Sequence, residues 1–243
     1  MAQIRLDKFL AESSGKTRSE VKKLLKAGSV VINGSPQTKP ETKIDPEQDE
    51  IVFQGQKLSY QPFVGLMFHK PAGCITATQD RHQKTVLDYI EHPRKKDLFP
   101  VGRLDIDTEG LLFLINDGDL SHRMLSPRHH VPKTYEARVT GIVTQEDAAA
   151  FREGVDIGEK RPTMPADLEI LRAADTEDGV SEIRLTICEG KFHQVKRMFE
   201  ARGKKVIYLK RTAMAGISLD ETLEPGCWRE LTLEETERLK GSC

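Results

Sequence analysis

At 243 residues, with 37% hydrophobic and 31% charged side chains, the chain has an ordinary globular profile and room for two domains, one with a sizeable core. A formal net charge of −1 excludes a uniformly basic or acidic protein, and no apolar run approaches the ~18–20 residues of a membrane helix, so no membrane partner is expected. The opening MAQIRLDKFLAESSG lacks the long apolar core of a signal peptide, and Cys74, Cys188, Cys227 and Cys243 are too far apart for a CxxC zinc ribbon, which fits a reduced, cytoplasmic setting.

RLDKFLAES reads as a short helix with Leu6, Phe9 and Leu10 on one side. TRSEVKKLLKAG reads as a second, with Thr17 and Glu20 at capping-box spacing and Gly28 as its stop. Val21, Leu24 and Leu25 should face a core, while Arg18, Lys22 and Lys26 fall at i, i+4, i+8 on another face. VVINGS then predicts a strand and a hairpin turn at Asn33-Gly34, and DEIVFQG another short strand. SYQPFVG, residues 59–65, reads as a linker.

From residue 66 the pattern is mostly strands: LMFHKPAGCITAT, LLFLIN, TYEARVTG, DLEILRAA and SEIRLTICEG. Helices are fewer, at DLSHRML, QEDAAAFREG and KFHQVKRMFEARG. The last should carry Phe192, Val195, Met198 and Phe199 on one side and His193, Lys196 and Arg197 on another, closing at Gly203. The expected fold is α+β: a small N-terminal domain over residues 1–58, then a larger one over 66–243 with a mixed or antiparallel sheet flanked by a few helices.

Near-neutrality hides segregated charge. Residues 1–40 carry eight Lys/Arg against three acids, and residues 191–211 carry eight against Glu200 alone. Each island by itself reads as a solvated helix face; two in a neutral chain point to polyanion contact at defined places. Between them lies GRLDIDTEG, residues 102–110, where Asp105 and Asp107 stand next to the apolar run LLFLIN. Alone, the segment reads equally as an acidic turn or as the seat of a working carboxylate.

The N-terminal stretch resembles an S4 RNA-binding domain, through its R-L-D start, basic second helix and the following G-x-V-x-I-N-G. That resemblance implies structured RNA as partner, with Arg5, Arg18, Lys22, Lys23 and Lys26 as phosphate contacts. The segments GRLDIDTEGLLFLINDGDLSHRMLSP, KTYEAR and EGKFHQVKRMF, in that order, resemble the RsuA-type pseudouridine synthases within the wider RluA/TruB-like superfamily. Phe-His-Gln at 192–194, where large-subunit enzymes usually have Asn-Arg-Gln, favours the small-subunit ribosomal RNA branch.

The family's reaction isomerises uridine in RNA. The glycosidic bond breaks, the uracil turns, and a C–C bond forms to the same sugar. No cofactor or metal is needed, and the chain contains no Walker A loop, no GxGxxG opening a helix and no HExxH. The resemblance assigns Asp105 as the carboxylate acting at the ribose, either by attacking C1′ or by taking a proton from C2′. Asp107 is expected to cap or orient the loop. A carboxylate enclosed by a base and an apolar strand is driven towards its neutral form, and a cation within ~4–6 Å opposes that. The family motif supplies Lys196, with Arg197 as runner-up or as a phosphate contact. Tyr135 matches the active-site tyrosine, whose ring stacks on a flipped uracil. Arg103 is expected on RNA backbone or in the gap left by the base, and His193 and Arg197 on substrate. His129, His130 and His193 have poor ligand spacing, so no metal is expected. The whole reads as a monomeric enzyme on ribosomal RNA, 16S RNA or a small-subunit assembly intermediate. A large-subunit synthase of the same family is one alternative. The other is a non-catalytic RNA-binding assembly factor, which would not need Asp105, Tyr135 and Lys196 together.

Overall fold

The structure, a computed structural model, describes residues 3–46, 48–58 and 63–242. Residues 59–62 of the expected linker lie outside them. The chain divides into two compact units, residues 1–64 with 91–97, and residues 65–90 with 98–243.

The first unit opens with β1 (Ile4–Arg5) and helices α1 (Leu6–Ser14) and α2 (Arg18–Lys26). The capping box forms as expected, Thr17 and Glu20 satisfying each other's backbone N–H. Next come β2 (Val30–Ile32), β3 (Ser35–Pro36), β4 (Lys43–Ile44), β5 (Ile51–Phe53) and β6 (Gln56–Leu58). β1 pairs with β4, and the other four form an antiparallel sheet in the order β3-β2-β5-β6. Asn33 and Gly34 both take positive φ, 50° and 79°, as a two-residue hairpin turn requires. Leu6, Phe9, Leu10, Val21 and Leu25 pack against Val30, Ile44, Ile51 and Phe53 as one core.

The second unit is built on β7 (Gly65–Lys70), β8 (Phe99–Pro100), β9 (Glu109–Ile115), β10 (Lys133–Thr140), β11 (Asp167–Arg172), β12 (Val180–Ile187), β13 (Lys205–Met214), β14 (Ile217–Ser218) and β15 (Trp228–Glu230). The main path runs β11-β12-β10-β13-β9-β7-β15, with β14 beside β13 and β8 beside β9. Every pairing is antiparallel except β9 with β13. Helices α3 (Gly118–Leu125), α4 (Gln145–Glu153), α5 (Gln194–Glu200) and α6 (Leu233–Gly241) complete it. The fold is thus α+β with a mixed sheet. Strand β9 is buried from Gly110 to Ile115, hence its unbroken apolar run, whereas β10 and β12 alternate.

The structure departs from the sequence reading in four places. The strand expected through LMFHKPAGCITAT stops at Lys70, because Pro71 has no N–H to continue the ladder. The basic island of residues 191–211 is not one surface: its second half belongs to strand β13. Residues 228–241, given no element from the sequence, hold β15 and α6, and α6 opens with a Thr232–Glu235 capping box. Phe192 is not on a buried helix face. Helix α5 starts only at Gln194, and Phe192 stands 70% exposed before it.

Candidate active site

The loop between β8 and β9 carries Asp105, and neighbouring elements hold its backbone from several sides. Gly73 N–H donates to Ile106 O at 2.7 Å. The Thr76 hydroxyl donates to Leu104 O at 2.7 Å and accepts from Leu104 N–H at 3.1 Å. Lys70, at the end of β7, is fully buried, and its Nζ donates to Asp105 O and Thr108 O, both at 2.9 Å, and to Pro71 O at 3.1 Å. Burial pushes the Lys70 ammonium below its usual range, with the nearby Cys74, Asp107 and Asp105 opposing. The lysine therefore neutralises a cluster of carbonyl dipoles that the tight turn would otherwise leave converging in the interior.

The next anchor is the parallel pairing of β9 with β13, which sets Gly110 beside Arg211. Gly110 has φ +104°, and a Cβ there would meet Arg211 O at 2.2 Å, so only glycine permits this approach. The Arg211 side chain is itself buried, its Nε donating to Leu111 O at 2.8 Å.

Side chains from three further elements converge on Asp105. From α5, Lys196 Nζ lies 3.1 Å from Asp105 Oδ2 and 2.6 Å from Asp107 Oδ1. His193, in a left-handed conformation with φ 49°, puts Nε2 3.4 Å from Asp105 Oδ1. Tyr135, on β10 and buried, lines the same cleft, as do Arg103, Thr108 and Lys191. Burial raises the Asp107 carboxyl, but the hydrogen bond and charge of Lys196 outweigh it and hold the group below the ordinary range. For Lys196, burial lowers the ammonium, and its bonds to Asp107 and Asp105 outweigh that and hold it above its ordinary value. One fixed cation thus serves two carboxylates.

The structure brings Arg103, Asp105, Tyr135, His193 and Lys196 into one cleft, and does not bring Arg197. The Arg197 guanidinium turns the other way, donating to Glu159 Oε1 at 2.8 Å, to Phe192 O at 3.1 Å and to Ile157 O. The guanidinium expected on substrate is thus held by Glu159, Ile157 and Phe192 in this structure. The second basic island is divided as well. Arg202 and Lys204 are committed to the buried Asp147, each at 2.9 Å. In the first unit Arg18, Lys22, Lys23 and Lys26 are exposed on α2, whereas Arg5 is held by Asp7 in a two-bond pair at 3.0 Å. Among the described residues, no three His, Cys, Asp or Glu side chains gather as metal ligands.

Sequence reasoning missed Lys70, Thr108 and Gly110 as parts of the site, and held Lys191 and Arg211 only as members of a basic island. A lysine closing an apolar strand, as in LMFHKP, was the one available signal for Lys70.

Residues 65–201 match the RNA pseudouridylate synthase family and residues 4–51 match the S4 domain. An uncharacterized RNA pseudouridine synthase of Bacillus subtilis, YtzG, is 46% identical, the alignment covering 96% of each chain. Ribosomal small subunit pseudouridine synthase A of Haemophilus influenzae is 42% identical, covering 97% of this chain and 99% of that one. A crystal structure of a pseudouridylate synthase superposes with a TM-score of 0.67 at 42% identity, covering 97% of this chain and 99% of its own. With a family match over more than half its length and full-length relatives at this identity, the chain belongs to the RNA pseudouridine synthases of the RsuA type: it is an isomerase that carries an S4 domain.

Proposed function

We propose that the chain converts a specific uridine of 16S ribosomal RNA, or of a small-subunit assembly intermediate, to pseudouridine, with Asp105 as the essential carboxylate. The observation that carries the catalytic part is the setting of Asp105: a carboxylate on a loop braced by hydrogen bonds to its backbone, lining one cleft with Tyr135 and within reach of Lys196 and His193. The names of relatives such as the Haemophilus influenzae enzyme favour the small-subunit substrate.

The chemistry is balanced without a redox partner. The N1–C1′ bond breaks, a C5–C1′ bond forms, the proton on C5 leaves to solvent and N1 takes one up. Asp105 acts at the sugar, by adding to C1′ or by taking the C2′ proton. Lys196 keeps negative charge stable in a cleft that closes over a flipped base. Tyr135 supplies a stacking face for that uracil and a hydroxyl for proton transfer. Arg103, exposed at the cleft edge, contacts RNA backbone or fills the gap left by the base. Arg18, Lys22, Lys23 and Lys26 hold an RNA helix through its phosphates. Residues 1–58 act as the RNA-binding domain, 59–65 as linker and 66–243 as the catalytic domain of a cytoplasmic monomer.

The test is tritium release from [5-³H]uridine-labelled 16S transcript, with pseudouridine mapping in both ribosomal RNAs from cells with and without the protein. Asp105→Asn keeps the volume and removes the charge, so release should vanish while RNA binding stays within a few-fold. Substantial turnover by that variant sinks the role of Asp105. A missing pseudouridine in 23S rather than 16S RNA sinks the substrate.

A further inference from the structure

We infer that Phe192 is a stacking platform for the nucleobase next to the target uridine, and so a substrate-selecting residue at the cleft mouth. The inference rests on the uridine-isomerase reading and deepens it.

A single exposed apolar side chain is ordinary and by itself points to nothing. Phe192 differs in how it is held and what it touches. Its ring is 70% exposed and lies flat on the His193 ring, with centroids 3.8 Å apart and planes 18° from parallel. His193 is the residue whose Nε2 lies 3.4 Å from the Asp105 carboxylate. Asp105, His193 and Phe192 therefore stand in direct succession, carboxylate to imidazole to exposed ring. The ring spacing matches the separation of stacked bases, so the outer face of Phe192 sits one base-step beyond the inner ring.

The turn presenting this ring is fixed before any substrate arrives. Arg197 holds Phe192 O at 3.1 Å and is itself anchored by Glu159. Lys191 N–H donates to Gln194 Oε1 at 2.9 Å, and Gln194 Nε2 donates to Glu189 at 2.9 Å. His193 keeps φ at 49°, a left-handed conformation uncommon for a non-glycine residue. This backbone keeps Phe192 out of the helix and out of the core, where the apolar period of the sequence would have put it. A rigid aromatic face loses little freedom when a base lands on it. Every base offers a π-face, so an unpaired nucleotide flanking the flipped uridine is the occupant of matching chemistry.

The experiment measures RNA affinity against salt, and single-turnover tritium release, for wild type, Phe192→Ala, Phe192→Leu and Phe192→Tyr. The RNAs are 16S and 23S transcripts made with [5-³H]uridine. Truncation to Ala should weaken binding of the modified RNA by about 5- to 150-fold, which is 1–3 kcal/mol at about 1.36 kcal/mol per tenfold. Leu should lose nearly as much, because it is apolar without a face, and Tyr should restore affinity. The salt slope should not move, since every phosphate keeps its partner. Thermal stability should also hold, because the ring is mostly in solvent. Affinity of Phe192→Ala or Phe192→Leu within twofold of wild type overturns the proposal, as does a shallower salt slope. Wild type that binds with this dependence on residue 192 yet releases no tritium sinks the isomerase reading and leaves the stacking intact.

Discussion

Replacing Lys196 by Met is the sharpest perturbation of the cleft, because it removes one charge from between two carboxylates and keeps side-chain length. The ammonium stands 3.1 Å from Asp105 and 2.6 Å from Asp107. At ~3 Å a pair of unit charges is worth about 1.4 kcal/mol in water and about 5 kcal/mol at an effective dielectric constant near 20. Lys196 is 18% exposed and Asp105 27%, so an intermediate loss of about 2–3 kcal/mol is expected. Asp107 keeps the burial that favours its neutral form and loses the cation that overrides it. The two carboxylates, both within reach of the vacated position, then face each other without a shared cation, and like charges in one site favour protonation of the pair. At about 1.36 kcal/mol per unit, the acidic limb of the single-turnover rate should move up by roughly 1.5–2 pH units. The rate should fall at pH 7 and partly recover as pH rises. Lys196 itself sits above its ordinary value, so in wild type it stays charged around neutral pH and sets no alkaline limb there. Adding Asp107→Asn to Lys196→Met removes the competing carboxylate and should bring the limb part of the way back. Lys196→Arg keeps the charge and should be milder. A limb that stays in place in Lys196→Met, or that moves equally in Arg197→Met, refutes the pairing.

Three further predictions rest on single contacts. Lys133 is buried, and burial first, then the charge of Arg211, lower its ammonium to about 8. The folded state thus binds that proton more weakly than the unfolded chain, so stability should rise by about 2 kcal/mol between pH 8 and 9.5. Lys133→Met should abolish the rise in urea unfolding followed by the lone tryptophan, Trp228; a rise that survives in the variant removes Lys133 as its source. Gly110→Ala should cost more than ~3 kcal/mol or prevent folding, because its Cβ would overlap Arg211 O in a backbone conformation that already disfavours a side chain; a melting temperature within a few degrees of wild type contradicts this. Changing Lys22, Lys23 and Lys26 together to Gln should weaken RNA binding and reduce the log–log salt slope by about 0.9 for each phosphate left without its cation; an unchanged slope removes α2 from the RNA interface.

What was legible in the sequence was whatever has a local cause. The Thr17–Glu20 capping box, the Asn33-Gly34 turn and the buried β9 run are each specified by residues a few positions apart, and each formed. The grouping of Asp105, Tyr135 and Lys196 was legible only through motif resemblance, since the β8–β9 loop, β10 and α5 are distant in the chain. Strand β13 stayed hidden because its charges dominated the reading. Val206, Ile207, Tyr208 and Leu209 form a β-branched and aromatic run, but Lys204, Lys205, Lys210 and Arg211 around it looked like solvated surface. In fact Arg211 is buried and serves the neighbouring strand. Phe192 was misplaced for the opposite reason. Its spacing from Val195 and Phe199 fits a helix, and only the left-handed turn at His193, which no local pattern announces, takes it out.

The polarity of GRLDIDTEG beside a buried strand then has a physical account. A turn that aims two carboxylates at one cleft crowds its carbonyls on the inner side, where water cannot reach them. Lys70 answers those dipoles from within the core, and its own depressed basicity records how far from solvent it is. Lys196 answers the carboxylates from the cleft side and is held above its ordinary value because it is shared. The two lysines divide one electrostatic problem between backbone and side chains. With the backbone fixed from inside, the conformation of the loop does not depend on its side-chain charges alone. With the side chains balanced from the cleft, both carboxylates keep a fixed cation, and Asp105 keeps His193 at its other oxygen. The acidic turn is stable because it is clamped on both sides, and the chemistry proposed for Asp105 rests on the same clamping.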